Sequence, residues 1–285
     1  RGRRVPLELE SKPQLRHGGQ TCARLQPVRR RRGRQEELPC WHRPAAARAA
    51  LPDEIQVYAD DLNAPGEFGL EVHINTSPRG QRDAAYPGEV KNDHSLFVTP
   101  ELSWGLTDTM DAGIYLPTAR DAATGNLYAA GAKGRFKWLP VRGDELNGVG
   151  FAGLNLEIAR IARRFEEYRS AAELRAMLGW RTPDWLLAFN PVLSWDLSDG
   201  ADRRTGYGFA FKASHRIGEG LAAGLEYYTD QGKLGDRQPW NAQANKLFAV
   251  VDVERHGWGF NFGIGKGLSA DTEKLTLKGI LEFGF

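Results

Sequence analysis

The sequence predicts an all-β protein, a transmembrane antiparallel up-and-down β-barrel of about 12 strands, within a range of about 10 to 14. Apolar and polar residues alternate in segments of about ten residues, the length that a tilted strand needs to cross a bilayer. No stretch approaches the roughly 18 consecutive apolar residues of a membrane-spanning helix, and the mean hydropathy is −0.49. The chain ends in an alternating apolar run, Leu281, Phe283 and Phe285.

Twelve segments from Gly66 onward follow the period-2 pattern of a strand. In the first six, the apolar face takes every second residue of 68–74, 98–106, 110–116, 128–138, 150–158 and 172–180. In the last six, it takes every second residue of 187–197, 207–213, 221–227, 247–253, 258–264 and 275–285. None of these residues is charged, although 26% of the chain is. One face of each strand is therefore predicted to contact lipid and the other to line a lumen.

A soluble sandwich or lipocalin-like barrel also has alternating strands, but it turns the apolar face inward. Two features favour the membrane. The first is a set of tryptophans beside turns, where amphipathic rings meet a membrane interface: Trp104, Trp138, Trp180 and Trp258. The second is that long connections (77–93, 198–205, 230–243) alternate with short ones (107–108, 181–184, 254–257), as in barrels with short periplasmic turns. The links 140–147 and 269–271 follow this rule less well.

The first 50 residues differ in composition from the rest of the chain. They hold 12 Arg and 1 Lys against 4 Glu, without periodic apolar residues, so they are predicted to be a disordered Arg-rich leader. Their end, 45–50, has the Ala-x-Ala pattern of a signal-peptidase site, but no apolar core precedes it. We interpret residues 1–50 as a mis-assigned or residual signal peptide, 51–65 as a periplasmic N-terminal segment and 66–285 as the barrel. Both cysteines lie in the leader, and we expect no nucleic-acid binding from its arginines.

The C-terminal residues Leu281, Phe283 and Phe285 resemble the signal that outer-membrane proteins present to their assembly machinery. Three further stretches carry a family resemblance: 54–73, Thr99 to Asp108, and the block Gly224, Leu225, Glu226, Tyr227 and Tyr228. Over residues 51–285 the chain resembles a group of proteobacterial outer-membrane barrel proteins without assigned function. The resemblance implies a bacterial outer-membrane location, with lipid, lipopolysaccharide and the assembly machinery as partners, and it transfers no catalytic or binding residue.

The predicted lumen carries both signs of charge. Lys133, Arg135 and Lys137 share one face at intervals of about 6.7 Å and form a candidate basic ladder for anions. The alternative is that the ladder pairs with acidic neighbours, Asp111 and Glu157, and only fills the barrel. The other selectivity candidates are Glu173, Arg175, Lys212 and Glu226. We expect Leu225 to face lipid and its neighbour Glu226 to face the lumen and to tolerate substitution.

These features favour a passive pore or small-solute channel. An envelope-structural barrel with a filled lumen and an outer-membrane lipid-modifying enzyme remain as alternatives. Catalysis requires a nucleophile with an adjacent base, and Ser214 and His215 are expected on opposite sides of a strand. No catalytic residue, cofactor or metal ligand is therefore predicted.

Overall fold

A computed structural model describes residues 54–143, 148, 150–270 and 272–285. The predicted leader, residues 1–50, lies outside these residues. Across the described ranges the chain forms fifteen strands and a 3₁₀ turn, Trp240–Ala242. The strands are β1 (Phe68–Arg79), β2 (Leu96–Thr107), β3 (Met110–Tyr115), β4 (Thr118–Arg120), β5 (Leu127–Ala129), β6 (Gly131–Val141), β7 (Gly150–Ile161), β8 (Ser170–Arg181), β9 (Trp185–Asp196), β10 (Gly206–Gly218), β11 (Leu221–Lys233), β12 (Asp236–Arg237), β13 (Ala244–Arg255), β14 (Trp258–Gly267) and β15 (Leu275–Gly284).

Twelve of the described strands form the wall of a closed antiparallel barrel. Each wall strand pairs with its neighbours along the chain, and β1 pairs with both β2 and β15, which closes the sheet. Backbone hydrogen bonds between Phe68 and Phe285 complete the seam, at 3.1 and 3.0 Å. Closure removes sheet edges, so every wall strand has a partner on both sides. The predicted up-and-down barrel of about 12 strands is confirmed.

Three short strands stand apart from the twelve wall strands, and one of them, β5, takes residues that the sequence assigned to the start of the segment 128–138, where Ala130 is buried and does not face lipid. β4 and β5 form a small hairpin against the end of β2, and β12 pairs with the end of β11. Each has only two or three residues, which is too short for a period-2 signal. They extend the barrel wall beyond the membrane-crossing strands on the side of the longer loops.

The alternation of buried and exposed residues confirms the predicted faces. Large apolar side chains point outward and are exposed along every wall strand, as with Leu102, Phe136 and Leu225. The inward positions are mostly buried and mostly polar, as with Thr99, Asn155 and Glu226. A soluble protein would have the reverse arrangement. Within the described residues, no helix is long and apolar enough to span a membrane.

The two ends of the barrel differ in loop length and in aromatic content. One end of the barrel carries both ends of the barrel chain, the links 108–109, 182–184, 219–220 and 256–257, and the described residues between β6 and β7. The opposite end carries 80–95, 116–130, 162–169, 197–205 and 234–243, and the described residues between β14 and β15. All four tryptophans singled out above point outward at the short-loop end, where Trp104 stacks on Phe68 at 6.0 Å. This matches the aromatic girdle of a barrel at one membrane interface.

The outward face provides a depth test. Leu225, 53% exposed, lies well inside β11, whereas Ile217, 59% exposed, lies at the short-loop end of β10. Leu225→Arg should lower the free energy of unfolding by about 2–4 kcal/mol, and Ile217→Arg by about 0–1 kcal/mol, because the cost of a charge falls toward the interface. Urea unfolding in lipid vesicles measures both. Equal losses of unfolding free energy in the two variants would show that Leu225 does not lie deeper in the bilayer than Ile217.

Candidate functional site: the barrel lumen

The chain ahead of the barrel lies inside it. Residues 54–63, here called the interior segment, run between the inner faces of the wall strands and join β1 through the turn 64–67. Within the described ranges none of these residues belongs to a strand. Residues 51–65 were expected to form a separate periplasmic segment, and the structure places their described part, up to residue 63, in the lumen instead.

Side chains of the wall form hydrogen bonds with the backbone N–H and C=O groups of the interior segment. Asn190 of β9 accepts a hydrogen bond from the Tyr58 N–H at 2.7 Å and donates one to the Tyr58 carbonyl at 3.0 Å, as a neighbouring strand would. Arg175 donates to the carbonyl of Gln56 at 3.1 Å. Lys278 and Lys137 donate to the carbonyls of residues 55 and 61, at 3.0 and 3.1 Å. Buried backbone groups need such partners, and here the wall supplies them.

Charged and phenolic side chains add further contacts. Glu54 pairs with Lys133 at 2.9 Å, and Asp60 pairs with Arg181 at 2.6 Å. The Tyr58 hydroxyl donates to Glu54 at 2.6 Å and lies 2.7 Å from the hydroxyl of Tyr115. The contacts with Lys133, Arg181 and Tyr115 join the interior segment to three different wall strands, whereas the bond between Tyr58 and Glu54 lies within the segment. Together they hold it across the middle of the lumen.

Apolar packing completes the interface. Val57, Tyr58 and Ala59 lie in a buried cluster whose wall members are Leu139, Phe151, Met177, Ala188 and Ala210. Ile55 packs in a second cluster with Phe248 and Val250. Phe248 and Val250 lie on the inward face of β13, the face that is polar along most of the wall. These two positions are apolar because their side chains pack against Ile55 of the interior segment and not against water.

The candidate basic ladder lies where the sequence placed it, on the inner face of β6, and each member has a partner. Arg135 binds Glu101 and Asp111 through two nearly buried ion pairs. Lys133 binds Glu54, and Lys137 binds the carbonyl of residue 61. Gly113 makes room for the arginine, because a Cβ there would lie 2.7 Å from Glu101 Oε1 and 3.0 Å from Arg135 Nε. The arrangement favours the filling alternative, and anion attraction by the ladder stays a prediction.

The other lumen candidates also point inward. Glu157, opposite Arg135 in register, accepts hydrogen bonds from Asn155 at 2.7 Å and Tyr58 at 3.3 Å. Arg175 binds Glu173 at 2.8 Å. Lys212, the remaining basic candidate, lies 2.8 Å from Asp252 and 3.4 Å from Glu226. Opposite charges therefore meet along one strand, between Glu173 and Arg175, and across neighbouring strands, between Lys212 and Glu226.

Two cavities remain between the interior segment and the wall. One of about 230 Å³ is lined by Lys212, Glu226, Asp252, Asn261 and Lys278. The other, about 500 Å³, lies at the short-loop end and is lined by Glu71, Asp111, Arg135 and Lys137 together with the turn 255–259. Both linings carry acidic and basic groups. The lumen thus holds space for water and small polar solutes beside the interior segment.

The predicted assembly signal forms the end of the outward face. Leu281 and Phe283 point outward from β15, and Phe283 lies opposite Trp258 in register. Phe285 is 71% exposed while its backbone closes the barrel seam against Phe68. An apolar face that ends at an accessible aromatic residue is available for recognition. That the assembly machinery reads it stays a prediction.

No protein-family model matches the sequence, and no curated protein matches it. Among solved structures, the COG4313 outer membrane channel from Pseudomonas putida F1 is 14% identical, with a TM-score of 0.50 over 79% of this chain and 97% of that chain. The NanC porin is 10% identical, with a TM-score of 0.46 over 76% and 98%. LpxR from Salmonella typhimurium is 14% identical, with a TM-score of 0.41 over 75% and 99%. The likeness to the Pseudomonas channel shows the fold: the chain is a β-barrel of the bacterial outer-membrane type.

Glu226 was expected to tolerate substitution, and its contacts contradict this. Its carboxylate is buried, binds Lys278 in an ion pair and accepts a hydrogen bond from the Tyr228 hydroxyl at 2.6 Å. Removing one partner of a buried ion pair leaves the other charge uncompensated, which costs about 3 kcal/mol or more. A lumen-facing position is therefore not automatically permissive.

Glu226→Gln should lower the free energy of unfolding by about 3 kcal/mol, and the added change Lys278→Met should recover part of that loss because it removes the unpaired charge. Asp202→Asn is the matched control, since its pair with Arg204 lies in an exposed loop and contributes little. Urea unfolding in vesicles compares the three variants. A Glu226→Gln protein as stable as Asp202→Asn would show that the lumen solvates these charges.

Proposed function

We propose that this protein is a passive outer-membrane channel for small polar solutes, and that the interior segment closes it. The observation that carries the proposal is that a separate peptide segment, and not the wall side chains, blocks the middle of the barrel. A twelve-stranded barrel encloses more space than an eight-stranded one, whose side chains fill it. Here that additional space is occupied by residues 54–63.

The wall behind the interior segment has the character of an aqueous pore. Its inward positions combine charged side chains of both signs with amides, hydroxyls and glycines. Polar interiors are found both in water-filled barrels and in barrels that a loop or helix plugs, so this wall is compatible with an aqueous lumen once the interior segment has moved. Because acidic and basic groups alternate, the open lumen would admit polar solutes with little net charge selectivity.

Release of the interior segment would leave the barrel intact. The segment contributes no strand pairing within the described ranges, and it is joined to β1 by a turn that packs on Gly105. A Cβ on Gly105 would lie 2.0 Å from the carbonyl oxygen of Ala64, so this glycine is what lets the turn approach β2. Movement about this turn would open the lumen without breaking the wall ladder.

The filled-lumen alternative is supported by the number of anchors on the interior segment. If the segment never leaves, the protein is an envelope-structural barrel. The two functions differ in one measurable quantity, the ion conductance of the barrel. The enzyme alternative has no comparable support from the Ser214 and His215 pair, since Ser214 is buried on the inner face while the ring of His215 lies 4.5 Å from that of Trp185 on the outer face.

Asn190→Leu should raise the channel's open probability in planar bilayers. Its side chain makes two hydrogen bonds to the segment, each contributing about 1 kcal/mol, so their loss shifts the closed-to-open ratio by about 30-fold. Asn261→Leu is the matched control, because Asn261 also points inward but bonds to Asp252 of the wall at 2.6 Å.

A reversible lock tests the same proposal independently. Ala59 of the interior segment and Ala188 of β9 lie in one apolar cluster, and cysteines at both positions, in a background without Cys22 and Cys40, can be joined by a reducible thiol crosslinker. The bridged protein should stay closed, and reduction should restore the openings. If Asn190→Leu, the reduced double-cysteine protein and the unaltered protein all fail to conduct, the channel proposal is wrong and the barrel is structural.

A further inference from the structure

Three side chains of β1 and β2 converge on one point of the lumen. Glu71 and His73 share the inward face of β1, and Glu101 stands opposite Glu71 on β2. His73 Nε2 lies 3.8 Å from Glu71 Oε2 and 3.8 Å from Glu101 Oε2. All three candidate ligand atoms lie within 4.8 Å of one another.

His73 is fully buried, and its ring lies within ion-pair distance of two carboxylates without a hydrogen bond to either. Neither ring nitrogen has a hydrogen-bond partner among the residues that the structure describes. The 3.8 Å separations from the two carboxylates are too long for hydrogen bonds. A buried polar group left without a partner costs free energy, so an imidazole aimed at two carboxylates indicates that a further group belongs between them.

The donor set suits a divalent cation. Imidazole nitrogen is a preferred ligand of Zn²⁺ and its neighbours in the transition series, and carboxylate oxygen binds the same ions. Ligand atoms of a tetrahedral zinc site stand about 3.3 Å apart, because the bonds measure about 2.0–2.1 Å. The two 3.8 Å separations need to shorten by about half an ångström and the separation of the two carboxylates, at most 4.8 Å, by up to about 1.5 Å, so ion binding requires the side chains of Glu71 and His73 to rotate.

The interior segment offers a fourth ligand. Gln56 places its side-chain nitrogen 3.2 Å from Glu71 Oε2, and its Oε1 has no hydrogen-bond partner in the described part of the chain. Exchanging the two ends of an amide changes its shape little, so the carbonyl oxygen can occupy the position of the nitrogen. In that orientation the oxygen would face Glu71, an arrangement that a cation between them stabilises.

The surroundings position the carboxylates for this role. Arg135 holds Oε1 of Glu101 in an ion pair, which fixes the carboxylate and leaves Oε2 directed at His73. Outer-shell partners of this kind orient the ligands of metal sites. Arg135 also binds Asp111, so its own charge is shared with a second carboxylate. The cluster therefore has an ordered ligand set before any ion arrives.

We propose that Glu71, His73 and Glu101 bind a divalent transition-metal ion of the zinc type, with Gln56 of the interior segment completing the coordination. No metal ligand was predicted from the sequence, in which the loop 80–95 separates the first two residues from the third. The bound ion joins the interior segment to β1 and β2. If the protein is the channel proposed above, this coordination also keeps the lumen closed when metal is present.

Calorimetric titration of the chelator-treated full chain with ZnCl₂ in detergent tests the site directly. The leader contains Cys22, Cys40 and two histidines, so the relevant quantity is the one equivalent that His73→Gln removes. We expect the affinity at this site to fall about 100-fold or more, since losing even an outer-shell partner costs about 10–100-fold. His215→Gln, a strand histidine on the outer face, is the matched control and should bind as the unaltered protein does.

Two further variants separate coordination from folding. Glu71→Gln should weaken zinc binding while the protein keeps the heat-modifiable gel mobility of a folded barrel. Gln56→Ala should weaken it by a smaller factor, because it removes one neutral ligand from the segment. Binding that is identical in the unaltered, His73→Gln and Glu71→Gln proteins would overturn the site, and an unaffected Gln56→Ala protein would overturn the role of Gln56.

Conductance tests the link to closure. Micromolar ZnCl₂ should reduce the open probability of the Asn190→Leu channel and have less effect when His73→Gln is added. If the barrel never conducts, the calorimetric titration still decides the metal site, so failure of the channel proposal is distinguishable from failure of this one. Zinc closure that is equal with and without His73 would overturn the proposed coupling.

Discussion

The structure depends on one constraint, the need of every buried backbone N–H and C=O group for a hydrogen-bond partner where water is absent. In a bilayer, strands meet this need only by closing on themselves, which β1 and β15 achieve through a continuous ladder. The interior segment meets the same need by a different route. It lies in the lumen without strand partners, and wall side chains such as Asn190 and Arg175 take the place of a ladder.

That difference separates the permanent part of the molecule from the part that can move. The wall ladder runs through all twelve barrel strands of the described chain, so breaking it anywhere opens the barrel to lipid. The interior segment is held by individual hydrogen bonds and ion pairs, each of which water can replace in an aqueous lumen at modest cost. A closed channel requires this combination of a rigid wall and a replaceable filling.

The sequence predicted the strands of the wall well but not the contacts inside the lumen, for a physical reason. The face of a strand residue follows from period 2, a local property, so the alternation identified both the lipid side at Leu225 and the lumen side at Glu226. The partners of a lumen residue depend on register and on the diameter of the barrel. Arg135 therefore pairs with Asp111, a partner that the sequence offered for the ladder, and also with Glu101 of β2, which the sequence could not align with it.

The interior segment was missed because its contacts join residues far apart in the chain, such as Tyr58 and Asn190. Two signals pointed to it. Phe248 and Val250 placed apolar side chains on a face that should have been polar, and Gly105 left room beside β2. An apolar residue on the inner face of a barrel strand indicates that something inside the barrel covers it.

The central claim, that the interior segment lies in the lumen, is tested most directly by locating this segment in the membrane-embedded protein. Magic-angle-spinning NMR of the protein in lipid bilayers can detect contact between the Asn190 side chain and the Tyr58 backbone, with the cross-strand pair Phe211 and Tyr227 as the marker of a folded wall. The account predicts both contacts. A spectrum with the cross-strand contact but without the contact between Asn190 and Tyr58 would contradict it.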